Sequence, residues 1–141
     1  MDRKGSAVWR GTIREGQGTI STETGTLANA QYNFTSRFEH GAGTNPEELL
    51  GAAHAGCFSM AFSGQLTAAN LVPDKIETTA TVTVERLEGG FAITRVHLAV
   101  DASVPGADRA KVEELAATAK AGCPVSKLFN TNITMALTLV V

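Results

Sequence analysis

Polar and apolar residues alternate along three stretches of the first forty residues, which predicts short strands. From Ala7 to Arg14, the residues Ala7, Trp9, Gly11 and Ile13 share one face while Arg10, Thr12 and Arg14 share the other. That period of two is the signature of a half-buried strand. Gly16-Gln17-Gly18 turns the chain into a weaker strand over Thr19 to Thr24. After Gly25 a third strand is expected over Gln31 to Phe38, with Tyr32, Phe34 and Phe38 as its large apolar residues. The opening reads as an antiparallel meander.

The pattern then changes to that of a helix. Asn45 supplies an N-cap oxygen, Pro46 fits the first helical position, and Glu48 stands three residues after the cap. Glu47 and Glu48 both favour the positive end of the helix dipole. The run from Leu49 to Ala69 is small and apolar on every side, through Gly51, Ala52, Ala53, Ala55, Gly56, Cys57, Phe58, Met60, Ala61 and Phe62. A helix apolar all round is a buried one. A chain this short rarely encloses a helix completely, so a partner subunit is expected to cover part of it.

Clean alternation returns from Lys75 to Leu87, with Ile76, Thr78, Ala80, Val82 and Val84 on one face. Glu88-Gly89-Gly90 predicts a hairpin turn into Phe91 to Val100. The phase of that strand shifts near Arg95, which predicts a bulge or an edge. Beyond Pro105-Gly106, Val112, Leu115, Ala116 and Ala119 repeat at helical spacing, opposite Arg109, Lys111, Glu113 and Glu114. Gly122-Cys123-Pro124 ends that helix and opens a short one through Phe129. Ile133, Met135, Leu137 and Leu139 form a final strand. The layout, βββ-α-ββ-α-(α)-β, is that of a single α+β domain over residues 1–141.

Composition narrows the function classes. Twelve Lys and Arg against fourteen Asp and Glu leave a net charge of −2. That balance lacks the clustered positive charge that neutralising phosphates requires, so no nucleic-acid partner is expected. No apolar run approaches the ~20 residues of a membrane span, and the charged start carries no secretory core, so a cytoplasmic location is expected. The two cysteines, Cys57 and Cys123, stand far apart, unlike the dense thiols of a secreted disulfide scaffold. In a reducing compartment such thiols are either inert core residues or reactive ones.

Local sequence bears on that choice. Cys57 lies in the middle of the small-residue helix, where a small hydrophobe would also fit. Cys123, in Gly-Cys-Pro, falls at a helix N-cap, a place that favours the thiolate. His54 sits one turn before Cys57 and is expected to be a packed residue with one satisfied ring nitrogen. A metal site from His54, Cys57 and Cys123 lacks any Cys-x₂-Cys spacing or second close histidine, so neither a metal nor another cofactor is expected. Arg37, within an aromatic stretch, must either pair with a carboxylate or face solvent.

The stretch Gly43-Thr44-Asn45-Pro46-Glu47-Glu48-Leu49-Leu50-Gly51-Ala52-Ala53-His54-Ala55-Gly56-Cys57-Phe58-Ser59-Met60 resembles the signature of the OsmC/Ohr peroxidase family. Ala121-Gly122-Cys123-Pro124-Val125-Ser126 is similar to that family's second-cysteine motif. The placement of Arg37 in Phe34-Thr35-Ser36-Arg37-Phe38-Glu39, with Gly90-Phe91-Ala92-Ile93-Thr94, resembles the osmotically inducible protein C branch more than the organic hydroperoxide resistance branch. One departure is Gly56, where members often carry Ala. The resemblance implies an intertwined homodimer, with antiparallel sheets around buried central helices. It also implies a thiol-dependent peroxidase of oxidative or osmotic stress defence, acting on organic hydroperoxides and less well on hydrogen peroxide. On that resemblance Cys57 corresponds to the peroxidatic cysteine, Cys123 to the resolving one, Arg37 to the residue stabilising the thiolate, and Glu47 to the one orienting the Arg37 guanidinium. An external dithiol, in relatives a lipoylated protein, reduces the resulting disulfide.

Those roles agree with the chemistry. A free thiol is only a few per cent thiolate at neutral pH, so a sheltered one needs a fixed cation close by. A carboxylate can hold a guanidinium in a bidentate pair and aim its remaining N–H groups. Phe34, Phe38, Phe58 and Met60 are expected to form apolar walls for a greasy substrate. Spacing adds a constraint, because ten residues of unbroken helix separate Glu47 from Cys57 by ~15 Å. Either the regular helix begins later and folds Glu47 back, or Arg37 and Glu47 serve the thiol of the partner subunit. The second expectation also accounts for the helix that is apolar on all sides. Two rival readings are a small-molecule-binding homodimer and a redox sensor without turnover.

Overall fold

Trp9, Gly18 and Tyr32 lie side by side on adjacent strands, and the glycine between the two rings sets their spacing. The computed structural model describes residues 1–141 as two units, Met1–Leu49 and Leu50–Val141. In the first, β1 (Gly5–Arg10), β2 (Gln17–Thr22) and β3 (Ala30–Tyr32) form the expected antiparallel meander in the order β1-β2-β3. A Cβ on Gly18 would stand 2.8 Å from the Trp9 ring and would run into Tyr32. Its absence lets the two rings meet at 5.4 Å.

Two expectations for this unit need correction. The first strand stops at Arg10 rather than Arg14, because Gly11 adopts φ +91° and Thr12 closes a turn by accepting a hydrogen bond from the Gly16 amide at 2.7 Å. The third strand ends at Tyr32 instead of running to Phe38. Asn33 there starts a short helix, α1 (Phe34–Phe38), through a capping box. Asn33 Oδ1 accepts from the Ser36 amide at 2.9 Å, and Ser36 Oγ accepts from the Asn33 amide at 2.9 Å. Two backbone donors satisfied reciprocally outweigh the strand preference of Tyr32, Phe34 and Phe38.

The long helix α2 (Pro46–Ala68) starts where the sequence placed it. Asn45 Oδ1 accepts from the Glu48 amide at 2.8 Å, while the Glu48 carboxylate accepts from Thr44 Oγ1 at 2.6 Å rather than closing the box on Asn45. Its burial is one-sided within the chain. His54, Phe58, Phe62 and Leu66, four residues apart, are fully buried, whereas Ala52, Ala53, Gly56, Met60 and Gly64 are exposed. No helix of the structure is long and apolar enough to cross a membrane.

In the second unit, β4 (Lys75–Leu87) and β5 (Gly90–Ser103) pair antiparallel from Lys75↔Ser103 to Leu87↔Gly90. The register shifts between Thr83 and Val84, leaving Thr94 as the extra residue of the bulge expected near Arg95. The chain then passes through α3 (Arg109–Gly122) and α4 (Pro124–Leu128) to β6 (Asn132–Val140). This sheet departs from the all-antiparallel expectation, because β6 runs parallel to β5. A connection that carries helices between neighbouring strands brings the chain back in the same direction. The order β4-β5-β6 makes β5 central. Its Val96, Leu98, Val100 and Ala102 are accordingly buried with Phe58, Phe62 and Leu66 of α2 and the four expected residues of α3, Val112, Leu115, Ala116 and Ala119.

At Gly51 α2 lies close against this sheet. A Cβ at Gly51 would stand 2.9 Å from the Ala80 carbonyl oxygen of β4. Overpacking against backbone costs about 1–3 kcal/mol, and the better helix propensity of alanine returns about 1 kcal/mol. Gly51→Ala is expected to lower stability by up to about 2 kcal/mol on balance. A urea denaturation midpoint at or above that of the unsubstituted protein would contradict this close approach.

Candidate active site

The four residues expected to carry the chemistry fall into two pairs, one in each unit. In the first, α1 is tied to the segment before α2. Ser36 Oγ donates to the Thr44 carbonyl at 2.9 Å, and Asn45 Nδ2 donates to the Ser36 carbonyl at 3.1 Å. These bonds bring Arg37, in the last turn of α1, onto Glu47, in the first turn of α2. Arg37 Nη2 donates to Glu47 Oε1 at 2.9 Å, and Nε donates to Oε1 and Oε2 at 3.2 and 3.3 Å. Glu47 is buried, and this forked pair satisfies its carboxylate oxygens. The guanidinium carbon stands 4.9 Å from the centroid of the Phe38 ring. Nη1 takes no part in the fork.

The same guanidinium edges a cleft of about 230 Å³ whose other walls are Trp9, Ile13, Tyr32, Asn33, Phe34 and Phe38. Of the four expected apolar walls, Phe34 and Phe38 are placed here. Phe58 is not available to a substrate, because it is fully buried in the core of the second unit. Met60 is 81% exposed and is not among the walls of this cleft. Period alone could not separate a core phenylalanine from a pocket one.

In the second unit the two thiols come together. Cys57 projects from α2 and is half-buried, Cys123 is buried at the N-cap of α4, and both are free. Burial pushes the Cys57 thiol above its ordinary pKa. A hydrogen bond from the Val125 backbone N–H works against that, and the neighbouring Cys123 side chain raises it further. Cys123 Sγ accepts from the Ser126 amide at 3.3 Å, and its thiol donates to Ser126 Oγ at 3.1 Å. Consecutive amides of α4 therefore serve different sulfurs, Val125 for Cys57 and Ser126 for Cys123.

His54 is packed with one satisfied ring nitrogen, as expected. Nε2 lies 2.7 Å from Ser126 Oγ, and the ring stands 5.3 Å from that of Phe129. Nδ1 has no partner, and burial holds the ring pKa below its ordinary value. Val125 and Ser126 received no role from the sequence. For Ser126 a signal existed: it stands three residues after the N-cap Cys123, where an amide turns back onto the capping side chain.

The profile of the OsmC-like protein family matches residues 39–138. Peroxiredoxin OsmC of Escherichia coli strain K12 is 49% identical over 135 residues, covering 96% of this chain and 94% of the relative. The chain belongs to the OsmC-like family. The organic hydroperoxide resistance protein of Xanthomonas axonopodis pv. citri strain 306 is 36% identical over 100 residues, 70% of this chain and 68% of the relative. Identity is thus higher to the member bearing the OsmC name, in line with the branch expected from Arg37 and the Gly90–Thr94 stretch. Among solved structures, the organic hydroperoxide resistance protein OhrB of Bacillus subtilis superposes with a TM-score of 0.67 at 27% identity, over 96% of this chain and 97% of the other. Such OsmC-like structures share this α+β arrangement.

Proposed function

We propose that this chain is a cytoplasmic thiol-dependent peroxidase of stress defence that reduces organic hydroperoxides to alcohols, and hydrogen peroxide less well. The observation that carries the reading is the meeting of Cys57 and Cys123, whose side chains are close enough for Cys123 to raise the Cys57 thiol. Relatives named peroxiredoxin and organic hydroperoxide resistance protein support it. The Cys57 thiolate attacks the distal peroxide oxygen, the O–O bond breaks, and the alcohol leaves with a proton. The resulting sulfenic acid condenses with Cys123, forming a disulfide and water. An external dithiol, of the lipoylated kind, returns both sulfurs to thiols. The aromatic cleft beside Arg37 suits an apolar peroxide substituent better than a bare hydroxyl.

In this reading Arg37 is the cation that favours the Cys57 thiolate, and Glu47 holds the guanidinium. The chain works as one OsmC-like domain that assembles as a homodimer, in which the partner subunit's Arg37 serves Cys57. Helix α2 is regular from Pro46 onward, so the alternative in which Glu47 folds back before the helix begins has no support. The exposed stripe of Ala52, Ala53, Gly56 and Met60 on α2 offers a second copy a close approach.

A stoichiometric test separates this reading from its rivals. One equivalent of cumene hydroperoxide is expected to remove both free thiols of each chain, and dithiothreitol or a lipoyl donor to sustain turnover. Thiols left intact would identify a binding protein instead. A disulfide that forms but supports no turnover with any dithiol would identify a sensor.

A further inference from the structure

His54 is a fully buried titratable side chain that the peroxidase chemistry leaves unused. We propose that Ser126 and His54 form a proton relay that takes the thiol proton of Cys123 when it attacks the Cys57 sulfenic acid. The inference rests on the peroxidase reading and deepens its second step.

The hydrogen bonds fix the polarity of the relay. The Cys123 thiol donates to Ser126 Oγ at 3.1 Å. Ser126 has a single hydroxyl proton, and its other partner is His54 Nε2 at 2.7 Å. That proton therefore goes to Nε2, which acts as the acceptor, and the ring proton sits on Nδ1. The chain of donors runs Cys123 to Ser126 to His54 and ends at a lone pair.

A purely structural histidine explains this arrangement poorly. Nδ1 is buried without a partner, and an unpaired buried polar group costs about 1–3 kcal/mol. An apolar side chain could fill the same place beside Phe129 without that cost. Burial in turn keeps the ring neutral, which leaves Nε2 free to accept. Cys123 is 1% exposed, so bulk water is poorly placed to take its proton directly. The thiolate is the attacking species in disulfide formation.

The step balances without an added reagent. The thiol proton of Cys123 passes to Ser126 Oγ as the Ser126 proton passes to Nε2, leaving a thiolate that still accepts from the Ser126 amide. The thiolate attacks the sulfur of the Cys57 sulfenic acid, so the S–S bond forms as the S–O bond breaks. The departing hydroxide takes the proton that the ring gives up through Ser126 Oγ and leaves as water. Cys57 was oxidised earlier by the peroxide, and the relay ends as it began.

Stopped-flow mixing with one equivalent of cumene hydroperoxide resolves the two steps, with peroxide loss reporting the first and acid-quenched thiol counts the second. In Ser126→Ala the slowing should fall on disulfide formation, about a hundredfold or more, and only marginally on peroxide loss. Excess peroxide should then divert more Cys57 to the sulfinic acid, read by intact mass. Ser126→Thr, which keeps a hydroxyl, should restore the second step. His54→Gln can still hydrogen-bond Ser126 but cannot take a proton, so it should be as slow as Ser126→Ala. If His54→Gln does not fold, the Ala and Thr variants at Ser126 decide alone. Disulfide formation at the unsubstituted rate in Ser126→Ala or in folded His54→Gln overturns the relay, as does equal slowing of both steps. A wild-type chain that consumes no peroxide removes the peroxidase reading itself, and the relay with it.

Discussion

Cys57→Ser is expected to reduce peroxide consumption to the background of the assay, whereas Cys123→Ser performs a single turnover and then stalls. Removing the nucleophile of a covalent mechanism costs on the order of 10⁶-fold in kcat elsewhere. A serine hydroxyl with no base beside it has little to offer a peroxide. Cys123→Ser keeps the Cys57 thiol and the Val125 amide that points at it, so the first oxidation survives. The sulfenic acid then has no thiol to condense with, and further peroxide carries it irreversibly to the sulfinic acid. Burst amplitude and intact mass read the two variants apart. Equal residual turnover in both would contradict this division of labour.

Arg37→Ala should lower the rate of attack by about 10²–10³-fold, the usual effect of losing one fixed electrostatic donor at a reacting centre. The direction follows from Cys57 itself. Burial and Cys123 push its thiol upward, and the Val125 amide is the one influence from its own unit that opposes them. An acid whose pKa is raised holds its proton to higher pH, so without the cation less thiolate exists at neutrality. The rate of Arg37→Ala should therefore keep climbing about tenfold per pH unit through the neutral range. The unsubstituted protein should level off at lower pH. Superimposable pH–rate profiles would argue against Arg37. Mixing Cys57→Ser with Arg37→Ala chains distinguishes which copy supplies the cation. If it crosses between subunits, random pairing yields mixed dimers with one intact site, or roughly a quarter of full activity. If each chain uses its own arginine, mixing restores nothing.

Much of this architecture could be read from residue order. The strand from Lys75 to Leu87, the bulge near Arg95, the buried face of α3 and the N-cap position of Cys123 all follow from local signals that tertiary packing leaves unchanged. Where the expectations missed, a second local signal or a nonlocal fact prevailed. Asn33 and Ser36 close a capping box inside a segment rich in strand-forming residues, and Arg37 consequently rides on a helix. The parallel alignment of β6 depends on where α3 and α4 deliver the chain, which no window of residues encodes. Phe58 and Phe34 are alike in sequence, yet one fills the core and the other lines a cleft. The cysteine pair was legible because its motifs are specific. Ser126 lay in view within the same motif but drew no role, since a serine after a helix cap is ordinarily only part of the cap.

The supports beneath the two sulfurs are unequal. Cys57 is mounted on a 23-residue rod pinned by Phe58, Phe62 and Leu66. Cys123 stands at a joint, closing α3 through its amide on the Ala119 carbonyl and capping the five-residue α4, whose turn is held by the Lys127 amide on the Cys123 carbonyl and the Phe129 amide on the Val125 carbonyl. In the proposed cycle the sulfurs close to bonding distance, and the yielding is expected at this joint rather than along the rod.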